Sequence, residues 1–297
     1  MSEALRALGV LLEPPCAEHA AIAAALDLPP PPTGDEHTAV LGSQLPPYAS
    51  IYLGAEGMIG GEARDRIAGF WRALGGEPPD EPDHLSVLCA ALDALADPAD
   101  PAACDALADL TDPRRTVDAK LRLARAALYR EHVASWMPPY LAALRRIGAP
   151  FHVAWADTLD AVLAAEAEAV DSPPRLPLAL RAAPALPGAP ADLDALLGAV
   201  LAPVRIGLVI ARDDLARCAA ALGLGPRAGE RRFALRALLA QDPAAVLRWL
   251  AGEAQRQADG YSDRSEVTRW WAARARAGAR WLDQRAAEAT AIAGQSG

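Results

Sequence analysis

Leu85, Leu88, Cys89, Leu92 and Leu95 recur three or four residues apart, the spacing that lines one face of an α-helix and that an alternating strand cannot bury. The same spacing returns at Ile67, Phe70, Trp71 and Leu74, and more loosely along Leu121, Leu128, His132 and Trp136. Glycine and proline, 22 and 26 in number, collect between these periodic stretches and form no low-complexity tract, so they punctuate helices. Aromatic residues make up only 5% of the chain and alanine is abundant, a balance that favours helices over sheets. The expected class is all-α. Residues 204–210 alone look strand-like, and a run that short cannot be told from a buried helical turn.

Helices are expected over residues 3–12, 16–26, 62–74, from about Pro82 onward, 102–110, 116–136, 140–147 and 155–170. Residues 45–54, with two prolines and two tyrosines, fit either an extended segment or a short helix. Residues 171–190 then hold six prolines, which marks a linker or a strapped loop and the best domain boundary. It separates a helical domain at 1–170 from a helical C-terminal region at 191–297, with helices expected at 193–201, 213–222, 230–239, 244–257 and 262–289. Asp263 and Glu266 have the spacing of a capping box at the head of the last one.

A chain of 297 residues with 52% hydrophobic content can bury one large core or two modest ones. Its net charge of -9 is uneven: residues 1–174 carry 12 Lys and Arg against 26 Asp and Glu, and residues 175–297 carry 17 against 12. An acidic front attracts cations and repels nucleic acid, although surface carboxylates also serve solubility. Cys16, Cys89, Cys104 and Cys218 show no paired spacing, which fits reduced thiols in a cytoplasm. No secretory signal opens the sequence, and the apolar run at 193–211 is broken by Asp194, Pro203 and Arg205, so a cytoplasmic chain without stable membrane insertion is expected.

The candidate chemistry centres on Glu81-Pro82-Asp83-His84. Pro82 and Asp83 suit the first turn of a helix, with the Asp83 carboxylate facing outward at the positive end of the dipole. Glu81 and His84 have the spacing of a helix-borne metal pair, but Pro82 lies inside it and no second copy follows, so neither metal nor cofactor is expected. Gly54, Gly57, Gly60 and Gly61 precede no Gly-Lys pair, and Lys120 is the only lysine; a flexible turn is the better reading than a phosphate loop. No nucleophile motif occurs. Val267, Trp270, Trp271, Trp281 and Leu282 read as the core side of the last helix, with Arg269, Arg274, Arg276 and Arg280 reaching outward, rather than as a nucleic-acid footprint.

Three segments together resemble the TorD/DmsD family of molybdoenzyme-specific chaperones, which act in redox enzyme maturation: Pro47-Tyr48-Ala49-Ser50-Ile51-Tyr52-Leu53-Gly54, then Glu81-Pro82-Asp83-His84-Leu85, then Glu131-His132 with Trp136, Pro138 and Tyr140. The resemblance implies a TorD-like helical bundle without turnover chemistry. Such a protein binds the twin-arginine leader and apo form of a molybdenum-cofactor oxidoreductase subunit before export, as a monomer or homodimer. It implies a leader-binding groove of Tyr48, Tyr52, Glu81, Asp83, His84, Glu131, His132 and Trp136. The helical region beyond residue 190 is additional to the better-known members. Physical reasoning agrees, since two guanidinium groups beside an apolar stretch need carboxylates beside an apolar groove. Two other classes fit the residues: a helical enzyme using Asp83, His84, Glu131 and His132 as acid and base groups, and a helical interaction module.

Overall fold

Where the apolar spacing is three and four, the chain is helical. The computed structural model describes residues 2–96, 113–170, 175–225 and 229–295, and among these are 16 α-helices and no β-strand. The chain groups into two compact units, Met1–Ser50 with Ile59–Ala179 and Ile51–Met58 with Leu180–Gly297. Residues 51–58 therefore join the second unit, which no composition shift announces. The helix expected at 102–110, and Cys104 with it, lies outside the described residues.

The first unit contains α1 (Ser2–Val10), α2 (Ala17–Ala25) and α3 (Gly34–His37), the last running into a π-helical turn at Thr38–Gly42. A short α4 (Ala49–Leu53) straddles the division, followed by α5 (Gly61–Ala73), α6 (Leu85–Ala94) and α7 (Pro113–Ala127), which continues as a second π-helical turn at Leu128–Val133. Next come α8 (Met137–Ile147) and α9 (Pro150–Ala169), and then α10 (Leu178–Arg181), which straddles the division after Ala179. The expected single helix over 116–136 is thus divided. Pro138 and Pro139 open α8 instead of closing its predecessor, because a first turn needs no N–H from them.

In this unit α1 packs on α6, with Leu5, Leu8, Leu85, Leu88 and Leu92 all excluded from solvent. Each such leucine contributes about 1.5 to 3 kcal/mol by burial. Gly9 permits the close approach: a Cβ there would stand 2.9 Å from Cys89 Cβ and 3.2 Å from the Ser86 carbonyl. From α9, Trp155 Nε1 donates to the Leu8 carbonyl at 3.1 Å, and the buried Glu166 accepts from Arg125 of α7 at 2.5 Å.

The second unit contains α11 (Leu193–Val200), α12 (Pro203–Ile206), α13 (Arg212–Leu222), α14 (Arg231–Gln241), α15 (Pro243–Gly260) and α16 (Glu266–Gln295). Helices α15 and α16 pack along their lengths over a core that includes Leu247, Leu250, Ala254, Leu282 and Ala286. Trp271 and Trp281 are buried, while Arg274 stacks its guanidinium 4.9 Å from the Trp270 ring centroid. The cap of α16 is a Ser265–Thr268 pair, each backbone N–H donating to the other's hydroxyl at 3.0 and 3.1 Å. Asp263, expected there, instead faces Arg269 at 3.4 Å. No described helix is long and apolar enough to cross a membrane.

The strand-like stretch 204–210 forms α12 and then a buried non-helical run. Its Val209 is gripped by Gln257 of α15: Val209 N donates to Gln257 Oε1 at 3.0 Å, and Gln257 Nε2 donates to the Val209 carbonyl at 2.9 Å. A side-chain amide here does the work of a neighbouring strand, because a buried backbone needs its hydrogen bonds.

Candidate functional site

Helix α6 begins at Leu85, later than Pro82 and Asp83 suggest, and His84 is its N-cap in extended backbone. The imidazole Nδ1 accepts from Ser86 N at 3.3 Å and lies 2.6 Å from Ser86 Oγ. Accepting an amide proton fixes Nδ1 as the bare nitrogen of a neutral ring. Burial lowers the His84 pKa, against the pull of Glu13, Glu81 and Asp83.

Alongside this cap runs the Pro47–Ser50 stretch in extended form. Ala49 N donates to the Asp83 carbonyl at 3.0 Å and Leu85 N to the Pro47 carbonyl at 2.9 Å, which pairs Tyr48 with His84 as an isolated antiparallel bridge. Asp83 is 1% exposed. Its Oδ2 accepts from Ser50 N at 3.1 Å, and its Oδ1 is buried without a partner among the described residues. The carboxylate thus points inward and caps α4 rather than outward from α6, because an N–H in the first turn of α4 lacks an intrahelical acceptor.

The solvent side of the cluster belongs to other residues. Tyr48, half-buried, sets its ring edge-on to His84 at 4.8 Å between centroids. Burial and a hydrogen bond with Glu81 push its phenol up to about 12. Glu81 is exposed, and Glu13 Oε1 stands 3.8 Å from His84 Nδ1. Glu13 follows α1, far away in sequence, and no local signal marks it; the packing of α1 on α6 carries it there.

Glu131, His132 and Trp136 form a different group. His132 lies in the second π-helical turn, 5.2 Å from the Phe70 ring, and burial pushes its pKa down to about 4. Glu131 pairs with Arg130 at 3.0 Å and accepts from Leu178 N at 2.5 Å. Trp136 is 0% exposed, with Nε1 donating to the His132 carbonyl at 2.8 Å; it offers the core, and not a ligand, its ring. Tyr52 is likewise buried, inside the second unit, where Arg231 faces its phenol. The structure therefore brings together Tyr48, Glu81, Asp83 and His84, adds Glu13 and Ser86, and withdraws Tyr52 and Trp136 from solvent. Tyr48 precedes α4 in extended backbone, whereas Tyr52 lies within that helix.

Among the described residues no group of three His, Cys, Asp or Glu side chains could hold a metal ion. The π-helical turn at Leu128–Val133 is itself notable, since such turns concentrate at functional sites. No curated protein and no solved structure matches the chain. Residues 38–142, which carry Tyr48, Glu81, Asp83, His84, Glu131, His132 and Trp136, match the nitrate reductase delta subunit family. That match supports the resemblance to TorD/DmsD-type redox enzyme maturation chaperones.

Proposed function

We propose that the first unit binds the twin-arginine leader of an apo molybdenum-cofactor oxidoreductase subunit and that the cluster at the head of α6 receives the arginines. The observation that carries this reading is the set of carboxylates, Glu13, Glu81 and Asp83, gathered around Tyr48 and His84. Glu13 and Glu81 stand at the surface, where a guanidinium can pair with them while its flat face lies on Tyr48. Asp83 and His84 act as positioning residues: they tie the Pro47–Ser50 stretch to α6 and so hold Tyr48 in place. Glu131 and His132 lie at the second π-helical turn, against which α6 packs, as a group separate from this cluster. The chain turns over no substrate in this reading, and it works in the cytoplasm, where such a leader is still attached.

Calorimetric titration of a twin-arginine leader peptide tests the reading. The doubly substituted Glu13→Gln, Glu81→Gln protein is expected to lose about 1.5 to 3 kcal/mol of binding, roughly ten- to a hundredfold in affinity, with an unchanged Tm. Asp83→Asn is expected to lower Tm as well as affinity, since it touches the α4 cap. Undiminished affinity in the double variant would sink the assignment.

A further inference from the structure

The second unit holds a cavity of about 540 Å³, walled by Glu56 and its neighbours, by residues 187–191 of the Pro-rich strap, by Asp194 and Gly198 of α11, and by Arg205 and Arg232. It is a built feature. Gly57 adopts φ +65°, and a Cβ there would stand 2.3 Å from the Leu201 carbonyl oxygen, so only glycine lets this loop close on the end of α11. Arg205 Nε donates to the Ala55 carbonyl at 2.5 Å. From α16, Trp281 Nε1 donates to the Gly188 carbonyl at 3.2 Å and Arg274 to the Pro184 carbonyl at 2.9 Å, which holds the strap in position.

The lining limits what can enter. Among the described residues no aromatic ring lines the cavity, so a flat base has nothing on which to stack, and the alanine, glycine, proline and Met58 walls suit an aliphatic body. The volume lies in the range of small-molecule sites. Asp194 is occupied by Arg232 at 2.8 Å and by Arg236. The terminal nitrogens of Arg205 have no partner among the described residues, since its Nε alone is engaged. Glu56 is exposed, where water and salt screen it.

We propose that this cavity binds a small aliphatic ligand through a carboxylate that pairs with the Arg205 guanidinium. The site is separate from the leader-binding cluster and stands without it. The free edge of a guanidinium whose Nε is already fixed presents two parallel N–H groups, which match the two oxygens of a carboxylate.

The test is calorimetry on the full chain with glutarate, its neutral diamide and inorganic phosphate as probes. Glutarate is expected to bind saturably at one site and the diamide not at all, with Arg205→Gln weakening glutarate roughly ten- to a hundredfold. Because Arg205→Gln also loses the Ala55 bond, Gly198→Leu supplies an independent arm. A Cβ at Gly198, which lines the cavity, meets nothing within 4 Å, so a side chain can start there, and Gly198→Leu is expected to abolish glutarate binding at unchanged Tm. Glutarate binding unaffected by Gly198→Leu, phosphate binding as tight as glutarate, or no glutarate binding to the unsubstituted chain would each overturn the proposal.

Discussion

Gln257→Leu is expected to destabilise the second unit by roughly 1 to 3 kcal/mol, because it removes two hydrogen bonds to the buried Val209 backbone at once and each contributes about 0.5 to 1.5 kcal/mol. Gln257 is 7% exposed and Val209 1%, so water does not readily replace the amide. Leucine matches the volume and is apolar, which isolates the hydrogen-bond loss from a cavity. Chemical denaturation followed by tryptophan fluorescence measures it, with Gln257→Glu as a partner variant that keeps the acceptor for Val209 N but brings a charge beside Glu253. A change within about 0.5 kcal/mol, the range of ordinary surface substitutions, would mean that the two Gln257 bonds add nothing to stability.

Acid is expected to weaken the first unit. Unfolded imidazoles titrate near about 6.5, whereas burial holds folded His132 at about 4 and lowers His19, His84 and His152 in the same direction. Between these values the unfolded chain binds protons that the folded chain refuses, so stability is full above the unfolded pKa and falls as pH drops through that window. At about 1.4 kcal/mol per unit, His132 alone accounts for roughly 3 kcal/mol. The geometry adds a reason at His84, whose Nδ1 cannot accept from Ser86 N once protonated, although Glu13 then faces it as a counter-charge. Urea titrations between pH 7 and pH 4 should show the loss. His132→Gln should flatten the curve, and an equally steep curve in that variant would assign the acid response to other groups.

The helical class was legible because burial of one face imposes a period on a helix, and that period survives in the bare order of residues at 85–95, 62–74 and 266–295. The family resemblance was legible for a related reason: Pro47 to Gly54, Glu81 to Leu85 and Glu131 to Tyr140 are local strings, and their order and separation can be compared without coordinates. Capping was legible only in kind. The sequence offered Asp83 and Asp263 as helix-starting acids, but His84 and Ser265 take those positions, since several polar residues near a helix start compete and packing selects among them.

What tertiary structure decided was direction and company. Composition cannot say whether a carboxylate faces water, and Asp83 turns inward because the distant Ser50 N–H needs an acceptor. Nor can spacing say that Glu13 reaches His84, that Trp136 and Tyr52 are closed off from solvent, or that residues 51–58 close a cavity beside Arg205. Periodicity along the chain is a one-dimensional record of which face is buried. The partners of that face are chosen by long-range packing, which leaves no regular mark on the sequence.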